Sequence, residues 1–349
     1  ASLTIQDFAR ALGREIIWAP RVTDDPDDPE EYVGRLRIYP HALREANAYY
    51  SPLKKAILCG YFAATPANRA RLMPGALVFT CLSHDIIAHE LTHAILDGLY
   101  RHYNRPSNPD VLAFHEAFAD LAALFQHFSF PEVLKHQIAR TRGELEQQNL
   151  LGELVQQFGL AIGRHGSLRD ALGAVDRETG TWRPAPPRPT DYERHTEPHR
   201  RGSVLVAAVF EAFLTVYKRR VEDLLRIASG GTGVLPAGEL HPDLVNRMAR
   251  EAAKTANHVL GMCIRAIDYC PPVDITFGEY LRAIITADCD IVSEDSRHYR
   301  LAFIDAFRRR GIYPEGIKNL GVESLRHPRP WRGLRPDTRA LFGSIGDFL

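Results

Sequence analysis

The sequence predicts an α+β fold: a mixed β-sheet lobe with one functional helix over residues 1–98, then a mostly α-helical lobe over residues 99–349. Three observations carry this. Up to about residue 80, short apolar and β-branched runs alternate with turn residues. From Ser83 onward, apolar residues recur at the three-to-four spacing of helices. The length of 349 residues exceeds what one compact core usually serves.

In chain order, "DDPDDPEE" (24–31) reads as an acidic, proline-broken surface loop, and "YVGRLRIYP" (32–40) as a strand. "NAYYSPLKKAILCGYF" (47–62) reads as a hairpin around a Ser-Pro turn, and "GALVFTCLS" (75–83) as a buried strand or a hairpin arm. Ser83 and Asp85 suit the start of a helix that ends near Gly98, and Asn-Pro-Asp opens another over 108–128. Further helices are expected over 131–163, 203–228, 242–268, 276–287 and 296–310. The proline-rich segment 179–193 is expected to be a non-helical connector.

Lys+Arg and Asp+Glu both number 43, which leaves no electrostatic footprint for nucleic acid or an anionic membrane. No apolar run is long enough to span a bilayer, and the opening residues lack the basic-then-apolar order of a secretory signal. Five widely spaced cysteines (Cys59, Cys81, Cys263, Cys270 and Cys289) read as free thiols. These features together favour a cytoplasmic setting over a secreted one.

The chemistry concentrates in "SHDIIAHELTHAILDGLY" (83–100). His89 and His93 stand four residues apart, on one helix face, so both can grip one Zn²⁺ ion. Glu90 is rotated by about 100°, beside the ion, where a base acting on zinc-activated water belongs. Two histidines and a glutamate among Ile86, Ile87, Leu91 and Ile95 need a partner if buried, and a metal supplies one. The next helix offers "FHEAFAD", with Glu116 as third ligand and Asp120 one turn on, able to fix a ligand histidine's tautomer. His84 reads as a capping or surface residue, and His127 has no ligand partner at helical spacing.

"HELTH" followed by "HEAFAD" resembles the thermolysin-like gluzincin metallopeptidases. The resemblance runs over residues 47 to about 213 and implies a thermolysin-like zincin fold. "NAYY" (47–50) is similar to that family's substrate-binding edge strand, implying that Asn47, Ala48 and Tyr50 hold the substrate backbone. "EPHRRGSVLVAAVFEAF" (197–213) is similar to the segment that carries a catalytic histidine, which implies His199. "GSLRDAL" (166–172) is similar to the segment of a substrate-binding arginine, which implies Arg169. The oxyanion-assisting tyrosine falls on Tyr103 or Tyr100, with Tyr103 preferred. The carboxylate partner of the catalytic histidine stays open among Asp191, Glu193 and Glu197. Two departures stand out: His115 replaces the usual asparagine before the third ligand, and the family's acidic calcium cluster has no counterpart.

The expected function is a zinc metallopeptidase acting on a peptide or protein substrate, with apolar residues such as Ile86 and Leu168 lining a side-chain pocket. The alternatives are an inactive zinc-bound relative that binds peptides, and a zinc hydrolase acting on a non-peptide amide.

Overall fold

The computed structural model describes residues 1–23, 30–63, 75–145 and 186–328, with the backbone of a short strand pair at 173–175 and 182–184. Arg169 and Leu168 lie outside the described residues.

The mixed signals of the first residues conceal a helix, α1 (Ser2–Leu12), which buries Phe8 against Phe118 at 5.9 Å between ring centroids. A two-residue antiparallel pair joins β1 (Arg21–Val22) to β2 (Glu30–Glu31), so the end of the segment expected as a loop over 24–31 is strand; residues 24–29 lie outside the described residues. A mixed sheet follows: β3 (Arg37–Leu43), β4 (Ala48–Ser51), β5 (Ala56–Ala63) and β6 (Leu77–Phe79), in the order β3-β5-β4 with β6 also on β5. β4 and β5 form the expected hairpin, with Tyr50 opposite Ile57. The strand expected at 32–40 runs later, over Arg37–Leu43, because its register is set by parallel pairing of Ile38 with Ile57 and Tyr39 with Leu58. Only β6 of the run 75–83 is strand, since Thr80–Leu82 tightens into a 3₁₀ turn before the next helix.

Helices then dominate. α2 (His84–Leu99) and α3 (Pro109–Gln126) hold the two motif segments, and the Asn108 side chain caps α3 by accepting from the Asp110 amide. α4 (Pro131–Thr141) is shorter than the expected 131–163: Arg142 and Gly143 take left-handed conformations (φ 56 and 86) that stop it. The strand pair β7 (Gly173–Val175) and β8 (Trp182–Pro184) precedes α5 (Pro189–Arg194). The segment 179–193, expected to be non-helical, is therefore helical from Pro189 onward. Pro189 sits in the first turn of α5, where its missing N–H costs nothing. α6 (Pro198–Ala228), α7 (Pro242–Ala266), α8 (Phe277–Ile291), α9 (Tyr299–Arg309) and α10 (Val322–Leu325) complete the described elements. One hydrophobic cluster runs from Phe8, Ile57 and Ile95 through Phe118, Phe213 and Ile264 to Leu325. No described helix is long and apolar enough to cross a membrane.

The sheet is tied to α2 by a buried charge. Asp97 accepts from the Tyr50 hydroxyl (2.7 Å), Lys55 Nζ (2.8 Å) and Asn104 Nδ2 (2.6 Å). These three donors come from β4, from the residue just before β5, and from the 3₁₀ turn after α2. Both Lys55 and Asp97 are buried, so removing either leaves the other charge uncompensated. Asp97→Ala is expected to lower unfolding free energy by about 3–5 kcal/mol, and Asp97→Ala with Lys55→Met by less than Asp97→Ala alone. Urea denaturation of the two variants beside wild type measures both.

Candidate metal centre

α2 and α3 pack side by side, and their facing residues form one polar cluster within the apolar core. His89 Nε2 and His93 Nε2 lie 2.9 Å apart. Glu116 Oε2, from α3, lies 3.5 Å from the first and 3.7 Å from the second. A tetrahedral shell with ligands about 2.0–2.1 Å from zinc sets their atoms about 3.3 Å apart. The observed triangle brackets that value, so the residues present fit a zinc-sized ion.

The partners behind the ligands fit as well. His89 Nδ1 stands 2.9 Å from Asp120 Oδ1, the position from which a carboxylate can fix the tautomer of that ring. His93 Nδ1 lies 2.6 Å from His115 Nδ1, with the rings stacked at 4.8 Å between centroids. If His93 Nε2 offers its lone pair to a metal, its Nδ1 must carry the proton, and His115 must accept it. His115 thus takes the place that the resemblance gives to asparagine. Burial pushes both rings toward neutrality: His93 falls well below an ordinary histidine, and His115 to about 4. Burial disfavours charge on Glu116 too, but His93 and His89 outweigh it and hold the carboxylate well below its usual range. Burial also opposes charge on His89, and there Asp120 and Glu116 prevail and raise its pKa. A proton and a divalent cation therefore compete for this cluster.

Glu90 points to the sheet side. Its Oε2 accepts from the Tyr50 backbone N–H at 2.8 Å. Strand β4 is a sheet edge among the described residues, and this N–H faces away from β5. By the two-residue period of a strand, the backbone groups of Ala48 face the same way. Asn47 sits at the start of β4 with its side chain half-buried, its Oδ1 accepting from the Ala48 amide. Tyr50 reaches the site through its backbone only, because its side chain is buried and bonded to Asp97.

His199 arrives from the first turn of α6. Its Nε2 lies 3.3 Å from Glu116 Oε2, and its Nδ1 2.8 Å from Glu197 Oε1. Of the three carboxylates left open by sequence, Glu197 is thus the one beside His199. It is also the N-cap of α6, accepting from the amides of His199 (3.2 Å) and Arg200 (2.8 Å). Partial burial works against its charge, yet the Arg200 amide and the His199 ring keep it below the usual carboxylate range. Glu-Pro is the sequence signal: a proline at the first helical position marks the preceding residue as the cap.

Sequence reasoning missed what aims α6. Gly202 lies against α3: a Cβ there would stand 2.7 Å from Ala113 O and 3.2 Å from Ala117 N. The two backbones meet at the turn that carries Glu116, which is how His199 comes within reach of it. Asp110 fixes the same end of α6, accepting from Arg201 Nε, the Tyr192 hydroxyl (2.6 Å) and the Phe277 amide (2.8 Å).

Two expectations need correction. Tyr103 is not brought to the cluster: it is fully buried and donates its hydroxyl to Pro271 O at 2.6 Å, with Tyr100 stacked on it. Ile86 is fully buried in the core and lines no open pocket.

Compared with known family models and with curated proteins, the chain matches none. Asp120→Asn is expected to weaken zinc binding about 10–100-fold while leaving the fold intact, because it loosens the His89 ring. Competition against a chromophoric chelator measures the shift.

Proposed function

We propose that the chain is a zinc-dependent metallopeptidase that cleaves a peptide or protein substrate laid along the β4 edge. One observation carries the reading: His89 Nε2, His93 Nε2 and Glu116 Oε2 converge at 2.9–3.7 Å. Two imidazoles and a carboxylate suit zinc, and three protein ligands leave a fourth position for reacting atoms. When bound, zinc supplies Lewis acidity, acidifying water and polarising a carbonyl.

The remaining steps belong to the chain's own residues. Glu90, oriented by the Tyr50 amide, takes the proton of the attacking water and passes it to the leaving amine. His199, as imidazolium, donates Nδ1–H to Glu197 and presents Nε2–H to the developing oxyanion. The outward carbonyls of Ala48 and Tyr50 on β4 accept from the amides of an extended substrate laid beside the strand. Asn47 and Arg169 hold its backbone, as the resemblance implies. Tyr103 has no part in the reaction, so oxyanion stabilisation rests on His199.

Glu90→Gln is expected to retain zinc at wild-type stoichiometry and to lose cleavage of an unstructured protein substrate. His199→Ala is expected to lower kcat by about 10²–10³ with zinc unchanged. Steady-state kinetics beside metal analysis read both. A wild type that holds zinc and cuts no peptide bond, yet binds peptides, would point to a binding module instead.

A further inference from the structure

A second group of ligating side chains sits at the other end of the same two helices. His84 and Asp85 open α2, and His127 follows the last residue of α3. One donor atom from each lies within 4.8 Å of the others. Asp85 is 3% exposed, and its Oδ1 is bonded to His127 Nε2. His84 Nδ1 lies 3.8 Å from the same oxygen, too far for a hydrogen bond. That nitrogen is itself buried and has no hydrogen-bond partner among the described residues. Phe130 stands edge-on to His84 at 5.2 Å and closes the apolar side.

A plain ion pair accounts for Asp85 and His127. It leaves a buried imidazole nitrogen aimed at a carboxylate without bonding it, an arrangement that costs free energy. A cation seated among the three atoms removes that cost. We propose that His84 Nδ1, Asp85 Oδ1 and His127 Nε2 form a second metal site, for a divalent transition ion of the zinc class. Two imidazoles with a single carboxylate select such an ion over calcium or magnesium, which need shells built from oxygen. The His84 and His127 side chains are 34% and 18% exposed, so the cluster lies just beneath the surface.

The site's role follows from what it joins. α2 carries His89 and His93, and α3 carries Glu116 and Asp120. An ion at His84–Asp85–His127 clamps the first turn of α2 to the far end of α3. Asp85 precedes His89 by four residues, about 6 Å along the helix. The clamp braces the helix that presents the zinc ligands and takes no part in bond cleavage. Sequence spacing hides it, since His127 is 42 residues from Asp85.

The test uses the full chain, stripped with chelator and titrated with Zn²⁺ and with Co²⁺. Wild type is expected to bind two equivalents, His84→Ala one and Glu116→Ala one. His84 Nδ1 makes no hydrogen bond, so His84→Ala should fold normally; His127→Gln serves as a second variant. Binding at this site should weaken at least as much as the ~10–100-fold that follows loss of a mere ligand-orienting partner. Zn²⁺ should raise the melting temperature of Glu116→Ala but not of Glu116→Ala with His84→Ala. Equal stoichiometry in wild type and His84→Ala, with no difference in melting shift, overturns the second site. The arms are independent of the peptidase reading: that reading fails if Glu116→Ala binds as many ions as wild type, whatever His84→Ala does.

Discussion

One half-buried carboxylate organises the centre of this molecule. Glu116 Oε2 stands 3.3–3.7 Å from three imidazole nitrogens, of His199, His89 and His93, that arrive on two other helices. Such a group cannot be withdrawn from water unless its charge is answered and its neighbours are fixed. The surrounding structure meets both demands. Asp120 and His115 hold the far nitrogens of His89 and His93, and Glu197 holds that of His199. Two imidazole nitrogens and a carboxylate oxygen thus face one point, and a proton on His89 competes with a cation for it.

The fold holds this arrangement by close contact and buried ion pairs. α6 approaches α3 through Gly202, at a distance no other side chain allows. Asp110 and Arg201 pin the same junction, and the Tyr192 ring covers the guanidinium at 4.1 Å. On the opposite side, Asp97 gathers Tyr50, Lys55 and Asn104, which seats β4 against α2 and brings the Tyr50 amide to Glu90. The same tyrosine therefore serves fold and site, through different atoms.

Local chemistry was legible in the sequence, and long-range geometry was not. His89, Glu90, His93, Glu116 and Asp120 follow from helical spacing, because i and i+4 positions share a face whatever surrounds them. The β4–β5 hairpin follows from its turn residues, and α2 and α3 from their start signals. The direction of Tyr103 does not follow, because it depends on Pro271, 168 residues away. Nor does the choice of Glu197 over Glu193 and Asp191, except through the capping rule. α1 escaped notice because its burial rests on distant partners such as Phe118.

The most direct test of the account is anomalous diffraction at the zinc edge, on crystals of the wild-type chain grown with zinc. A peak bonded to His89 Nε2, His93 Nε2 and Glu116 Oε2 at about 2.0–2.2 Å is the expected result. Zinc-loaded crystals with no peak at that point, and with the three side chains bonded only to one another, would contradict it.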